Sequence, residues 1–113
     1  MKEYLYVGFY NDINNKYILK IGTTNDLERR KAEHNYNYRK AKTNTMPREE
    51  QFHYIWTLPL TSHYSTLRYE DKNRELLKQS NIGTFIRNDR FVLEKVPDTI
   101  DITIRKTYTI KLK

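Results

Sequence analysis

The sequence predicts an α+β fold with a small, mainly antiparallel sheet flanked by helices. Three observations indicate this class: period-two strand patterns at both ends of the chain, a turn-rich segment after the first of them, and helical patterns between later strands. The predicted order of elements is ββαβα followed by further strands. A chain of 113 residues suits one domain with a modest core.

The first two strands are predicted to pair as a hairpin. Over residues 3–10 two sets of side chains alternate, which are Leu5, Val7 and Phe9 on one face and Tyr4, Tyr6 and Gly8 on the other. The turn formers of residues 11–16 lead into a second strand over residues 17–21. We therefore expect these two strands to form the N-terminal hairpin of the sheet.

A helix is predicted to begin near Asp26, directly after the second strand. Asn25 can cap its first turn, and Glu28, three residues later, can complete a capping box. Arg30 and His34 are four residues apart, so they share one face of this helix.

Five further elements are predicted after the start of this helix. They are a basic loop at 35–50, a strand at 52–60, a helix from caps at 61–65 to about residue 78, a strand at 84–93 and a strand over 100–112. Pro59 is expected to end its strand near Leu58. Lys106 interrupts the last apolar alternation, so a bend or bulge is expected there. Residues 1–95 form the predicted core, and residues 96–113 a C-terminal strand extension of the same domain.

Composition and charge limit the possible partners and cellular location of the chain. Twenty-one Lys and Arg against fourteen Asp and Glu give a net charge of +7, which attracts a polyanion such as nucleic acid. The chain has no cysteine, which excludes disulfides and Cys-ligated zinc. The N-terminus lacks the apolar segment of a secretion signal, and no apolar run can cross a bilayer. We expect an intracellular protein, cytoplasmic or nuclear, or a viral protein in a host cell, with DNA and not a membrane as partner.

Several short motifs occur in an order that a known family shares. They are Tyr6 in the first strand, Lys20-Ile21-Gly22 at the end of the second, Arg30 and His34 in the first helix, and Glu70 within Leu67-Arg68-Tyr69-Glu70 in the second helix. Residues 4–93 thus resemble the GIY-YIG nuclease superfamily, particularly its phage and viral branch, in which Lys begins the second signature. Under this resemblance, residues 1–95 are a GIY-YIG-like nuclease core.

The resemblance implies a metal-dependent endonuclease that hydrolyses DNA phosphodiester bonds. It implies that Glu70 holds Mg²⁺ or Mn²⁺, Arg30 grips the scissile phosphate, Tyr6 orients or deprotonates the attacking water, His34 shuttles the proton or positions the phosphate, and Lys20 contacts phosphate where the family has Tyr. These residue types suit the chemistry, because a carboxylate binds hard cations and a guanidinium fork matches phosphate. Phosphodiester hydrolysis also requires an activated water and charge neutralisation.

Each candidate also has an ordinary structural interpretation. Tyr6 can simply pack on the sheet, Glu70 can be a solvated helix residue, and His34 can be structural. Asp71, next to Glu70, would face elsewhere on the helix and is a poorer metal ligand. Two asparagines lie where the family often has one near the leaving group, and the sequence does not choose between them: Asn81 and Asn88.

Two other functions compete with the nuclease. The first is a catalytically inactive GIY-YIG-like module that binds nucleic acid through Lys20, Arg30 and a basic group in the expected loop, Arg39, Lys40 and Lys42. Lys20 in place of Tyr favours this function. The second is an interaction domain whose C-terminal strand pairs with a partner's sheet or with itself in a homodimer. Retention of Tyr6, Arg30, His34 and Glu70 together favours the enzyme.

Overall fold

A computed structural model describes residues 2–11, 17–41, 52–86 and 90–112 of the chain. The elements in these ranges are β1 (Glu3–Asn11), β2 (Tyr17–Thr24), α1 (Leu27–Ala41), β3 (His53–Leu60), α2 (His63–Gln79), β4 (Thr84–Ile86), β5 (Arg90–Leu93), β6 (Thr99–Thr103) and β7 (Thr107–Lys111). Five strands form one sheet in the order β3-β1-β2-β5-β4, with antiparallel neighbours, and β6 pairs with β7. The predicted α+β class and its small, mainly antiparallel sheet are confirmed.

The five-stranded sheet has two covered faces, because side chains alternate along each strand. One face, which we call the α2 face, carries a cluster that includes Leu77 of α2 with Leu5, Val7, Leu19 and Ile21 of the strands. The other face, which we call the α1 face, carries a second cluster formed by Tyr6, Tyr10, Ile18 and Phe52. His34 of α1 lies against Phe52, with ring centroids 4.3 Å apart. The two helices therefore lie on opposite sides of the sheet.

Helix α1 begins as predicted but is capped by a different residue. The Asp26 carboxylate accepts a hydrogen bond from the backbone N of Arg29 at 3.1 Å, which makes Asp26 the N-cap. Asn25 instead accepts a hydrogen bond from the Arg29 guanidinium at 2.8 Å. The predicted cap at Asn25 is wrong by one residue, since both side chains can accept hydrogen bonds from the first turn.

Helix α1 also continues through Ala41, so the loop predicted over 35–50 is wrong for residues 35–41. That segment contains no Gly or Pro to stop the helix, and propagation adds one backbone hydrogen bond per residue without needing an apolar stripe. The Asn35 side chain accepts a hydrogen bond from the backbone N of Phe52 at 2.7 Å, which ties α1 to the start of β3.

Strand β3 passes through Pro59 and does not end before it. Pro59 lies opposite Tyr4 of β1, and the strand continues to Leu60. The expectation that Pro59 ends this strand is wrong because β3 is at the edge of the sheet, where a missing N–H interrupts no ladder on the outer side.

Two segments predicted as single strands fold back on themselves. Strands β4 and β5 pair with each other, with Phe85 opposite Phe91, and β6 and β7 pair with Ile100 opposite Ile110. Lys106 lies in the turn of the second hairpin, where its carbonyl accepts a hydrogen bond from the backbone N of Ile104. Both single-strand predictions are wrong because a hairpin keeps the period-two pattern on each side of its turn.

Helix α2 begins and ends at polar residues. Ser62 is the N-cap, as the predicted range of caps allows, and its hydroxyl accepts a hydrogen bond from the backbone N of Ser65. After the helix, Asn81 adopts a left-handed conformation with φ of 56°, a common way to terminate a helix. Asn81 therefore has a structural role, and Asn88 lies outside the described residues.

Asn73 joins α2 to the C-terminal hairpin. Its side chain is fully buried, donates a hydrogen bond to the Thr103 carbonyl at 2.8 Å and accepts one from the Thr103 backbone N at 2.7 Å. Among the parts of the chain that the structure describes, no helix has the length and apolar character needed to span a membrane.

Candidate functional site

Tyr6 and His34 form a buried hydrogen-bonded pair on the α1 face. Tyr6 Oη lies 2.8 Å from His34 Nε2, and Tyr6 is 0% exposed. The rings of Phe52 and Tyr54 meet the Tyr6 ring edge to face, with centroids at 6.2 and 5.1 Å. The phenol is thus held by packing on its ring and by a hydrogen bond at its hydroxyl.

Gly22 makes room for this phenol. It lies directly opposite Tyr6 in the hairpin, and a Cβ at Gly22 would lie 2.5 Å from Tyr6 Oη. A side chain at this position therefore cannot coexist with the observed Tyr6 ring. The glycine of the Lys20-Ile21-Gly22 motif allows Tyr6 to lie across β2.

We expect Gly22→Ala to destabilise the protein by about 1–3 kcal/mol, because the new methyl forces the Tyr6 ring to move. Urea unfolding of the variant measures this change in the free energy of unfolding. A double-mutant cycle with Tyr6→Ala provides the control, since Gly22→Ala should cost much less when the ring is absent. Equal costs in both backgrounds would contradict the steric role of Gly22.

Arg30, which is also on α1, bonds to the Tyr6–His34 pair. Its guanidinium hydrogen-bonds the Tyr6 side chain and, through Nη1, the Glu33 carboxylate at 3.1 Å. Burial alone lowers the pKa of Arg30, but the interactions with Tyr6 and Glu33 outweigh burial and raise that pKa. Because a guanidinium can only donate, Tyr6 Oη accepts from Arg30. Tyr6 donates its own proton to His34 Nε2 in the neutral tautomer that carries its proton on Nδ1.

His34 is a neutral base in this setting. Burial, followed by the positive charges of Arg30, Lys20 and Arg90, lowers the pKa of His34 to about 3. An imidazole that stays neutral near pH 7 keeps a free lone pair for the Tyr6 proton. The cations around His34 thus keep it neutral and make it a weak proton acceptor in the free protein.

The low pKa of His34 makes the stability of the fold depend on pH. The pKa of His34 is about 3 in the folded protein and 6.5 by default, so between these values the unfolded chain binds more protons. This contribution to stability is present above about pH 6.5 and is lost as the pH falls toward 3. We expect the wild-type free energy of unfolding to fall by about 1 kcal/mol per pH unit more steeply than that of His34→Gln between pH 6 and 4.

The matched control for this pH dependence is His53→Gln, which removes an exposed imidazole from β3. Its unfolding free energy should follow the wild-type slope. Wild-type and His34→Gln profiles that run parallel over this range would show that His34 titrates alike in the folded and unfolded states.

Two further cations face the same site. Lys20 is 5% exposed and lies directly opposite Arg90 of β5, so both side chains are on the α1 face. Sequence reasoning identified Lys20 but missed Arg90. The one signal for Arg90 was its alternation with Phe91, which places the two on opposite faces; its proximity to Lys20 depends on strand register.

Glu70 belongs to α2, the helix on the other side of the sheet from α1. It is 8% exposed, and Leu77 of the same helix packs on the α2 face. Its carboxylate is the oxygen donor that a hard cation prefers. Within the described ranges, no three His, Asp or Glu side chains gather as a metal site, so water and substrate oxygens would have to complete a coordination shell on Glu70.

The structure therefore brings together four of the five proposed catalytic residues. Tyr6, Lys20, Arg30 and His34 share the α1 face, whereas Glu70 is carried by the opposite helix. Of the proposed nucleic-acid contacts, Arg39 and Lys40 belong to the backbone of α1, but their side chains and all of Lys42 lie outside the described residues.

This arrangement defines a small, basic α+β module with a cationic site around a buried Tyr-His pair. The chain belongs to the T5orf172 domain family, a nuclease-like and phage-associated group, since the family model matches residues 3–69, more than half of the chain. The match includes Tyr6, Lys20, Arg30 and His34 and ends one residue before Glu70. Searches of curated proteins and of solved structures find no match.

Proposed function

We propose that the chain is a GIY-YIG-type endonuclease that hydrolyses DNA phosphodiester bonds with Mg²⁺ or Mn²⁺. The observation that carries the proposal is the hydrogen bond of 2.8 Å between Tyr6 Oη and a His34 that burial and neighbouring cations keep neutral. A tyrosine can remove a proton from water only if it passes on its own proton. His34 Nε2 is within hydrogen-bond distance to accept that proton once the negative phosphate of the substrate offsets the three cations that lower the pKa of His34.

The cations support the same chemistry. Arg30 is part exposed and charged, so its guanidinium can hold a phosphate oxygen while it hydrogen-bonds Tyr6. A cation bonded to Tyr6 Oη also stabilises negative charge that develops on that oxygen. Lys20, on the strand that carries Gly22, adds positive charge near the phenol. In this mechanism Tyr6 takes the proton of the attacking water, His34 receives the phenol proton and Arg30 binds the scissile phosphate.

Glu70 is the residue that we propose holds the metal ion. A bound Mg²⁺ or Mn²⁺ supplies charge neutralisation at the phosphate and lowers the pKa of a coordinated water. The chemistry of the carboxylate fits such an ion, with water and substrate oxygens as the remaining ligands. Glu70 is on α2 and the residues that bond Tyr6 are on α1, so separate variants test the metal site and the Tyr6 site.

The test incubates the purified chain with supercoiled and with branched DNA, with EDTA, Mg²⁺ or Mn²⁺. We expect nicked product only with metal, and its loss in Arg30→Ala. Cutting both strands then takes two binding events or a second copy of the chain. Cleavage that persists at full rate in Arg30→Ala would overturn the proposed site.

The role of Glu70 is tested with Glu70→Gln beside Glu75→Gln, which removes an exposed carboxylate from the same helix. Mn²⁺ binding is measured by electron paramagnetic resonance without DNA, and cleavage is measured in parallel. We expect Glu70→Gln to lose both and Glu75→Gln to lose neither. Full metal-dependent cleavage by Glu70→Gln would remove Glu70 from the mechanism and leave the Tyr6 site in place.

A non-catalytic module that binds nucleic acid is the second candidate. It is favoured by the complete burial of Tyr6, which leaves its hydroxyl out of contact with solvent, and by Lys20 at the position where the resembling family has Tyr. Such a module would bind DNA with strong salt dependence and would not cut it under any metal. The same incubations therefore distinguish the two candidates.

A further inference from the structure

Lys20 and Arg90 form a pair of like charges on adjacent strands. They are directly opposite in the register of β2 and β5. Opposite residues in an antiparallel pair have Cβ atoms about 4.5–5.5 Å apart, and like charges at that separation destabilise the sheet. On the other side of Lys20 in the same row lies Gly8, which contributes no side chain. The row thus concentrates positive charge at the centre of the α1 face.

The Arg90 guanidinium has a donor that the described residues do not use. Its Nε is buried and makes no hydrogen bond within that part of the chain. The guanidinium carbon lies 5.9 Å from the centre of the Tyr10 ring, which supports it from one side. A buried donor without an acceptor costs about 1–3 kcal/mol, and this cost is relieved if the partly exposed Arg90 side chain turns its Nε toward a ligand oxygen.

Unlike the Nε of Arg90, the guanidinium of Arg30 has hydrogen-bond acceptors within the protein. Its Nη1 donates to Glu33, and it also hydrogen-bonds Tyr6. The charges of Arg30, Lys20 and Arg90 all lower the pKa of His34, so the three cations lie near the same imidazole. A phosphate held by Arg30 does not use the Nε donor of Arg90.

We propose that Lys20 and Arg90 bind a second phosphate of the nucleic acid, next to the scissile phosphate held by Arg30. This inference rests on the proposed function and specifies its substrate as a strand that presents consecutive phosphates to the α1 face. The fork of Arg90 can bind two oxygens of one phosphate, while Lys20 contributes a point charge. A nucleic-acid strand supplies such groups in series, which a single small anion does not.

The test measures binding of a fluorescein-labelled DNA duplex by anisotropy in EDTA, at several NaCl concentrations. We expect Arg90→Gln to weaken binding about 10-fold and to reduce the slope of log Kd against log salt by about 0.9, the loss of one phosphate contact. Arg90→Lys should keep most of the slope and lose part of the affinity. The matched control is Arg105→Gln, an exposed arginine of the C-terminal hairpin turn, which should bind as the wild type does.

The sharing of one phosphate is tested with Lys20→Gln and the double variant. If both side chains hold the same phosphate, the double variant loses less than the product of the two single losses. Circular dichroism and thermal melts check that each variant folds, and Arg90→Lys, which keeps the charge, stands in if Arg90→Gln does not fold. Arg90→Gln or Arg90→Lys with the affinity and slope of the wild type would overturn the proposal.

The outcomes separate this inference from the proposed nuclease activity, because binding in EDTA requires no cleavage. If no metal supports cleavage but Arg90→Gln loses affinity and slope, the phosphate position stands and the nuclease fails. If the wild type cuts DNA and Arg90→Gln binds unchanged, the nuclease stands and the second phosphate position fails.

Discussion

Arg30→Ala is expected to lower DNA cleavage by about 10²–10³-fold in kcat/KM, the usual effect of removing one donor from a developing oxyanion. The guanidinium is the group in the described site that is charged, part exposed and bonded to Tyr6 at once. Its loss removes both the grip on the scissile phosphate and the cation next to the Tyr6 oxygen. Single-turnover cleavage of supercoiled DNA, with enzyme in excess, measures the chemical step.

The control for this prediction is Arg29→Ala. Arg29 is the preceding residue of α1, pairs with the same Glu33 at 3.2 Å, and has a side chain that is 57% exposed. Arg29→Ala therefore removes an equal charge from the same helix turn without touching Tyr6, and it should cleave within a few-fold of the wild type. Arg30→Lys should fall between the two, because Lys keeps the charge but not the planar fork. Equal losses in Arg29→Ala and Arg30→Ala would point to general charge and against a specific contact.

Tyr6→Phe is expected to lower the cleavage rate by about 10²–10⁴-fold, the range for loss of a general base. The substitution keeps the ring against Phe52 and Tyr54 but removes the hydroxyl that links Arg30 to His34. It also leaves buried His34 Nε2 without its partner, which should cost about 1–3 kcal/mol of unfolding free energy. Cleavage kinetics and urea unfolding measure these two effects on the same preparation.

Tyr54→Phe is the matched control for Tyr6→Phe. It removes a hydroxyl from the same aromatic cluster, one that donates to the Leu27 carbonyl at 2.7 Å and not to His34. Burial raises the pKa of Tyr54, so its phenol stays neutral near pH 7. We expect Tyr54→Phe to lose some stability and little cleavage rate. A Tyr6→Phe variant that cleaves as fast as Tyr54→Phe would exclude the Tyr6 hydroxyl from proton transfer.

The elements that the sequence predicted well are those whose pattern is local. The alternation around Leu5 and Val7 indicated β1, and the polar residues before α2 indicated its start at Ser62. The predictions that were wrong depended on distant parts of the chain. Pro59 is tolerated because β3 lies at the sheet edge, and the folding of 84–93 into two strands places Phe85 opposite Phe91 without changing the period-two pattern.

For the site, helix spacing placed Arg30 and His34 on one face, and the resemblance to a known family singled out Tyr6. The hydrogen bond between Tyr6 and His34 was not predicted. The burial of Tyr6 could not be predicted, because it requires α1 to cover that face of the sheet. Arg90 enters the site only through the register between β2 and β5, which local patterns in the sequence do not specify.

The two hydrogen bonds between Asn73 and Thr103 amount to a peptide group supplied by a side chain. The Asn73 amide offers Thr103 one acceptor and one donor, which is what a neighbouring strand would offer at the same place. A helix thus acts on the end of β6 as if it were the next strand of that ribbon. Because the family match ends at residue 69, this amide links the family domain to the hairpin that follows it. The C-terminal hairpin is therefore attached to α2 by hydrogen bonds that resemble those between two strands. These bonds fix the position of the hairpin along the helix as well as the contact between them.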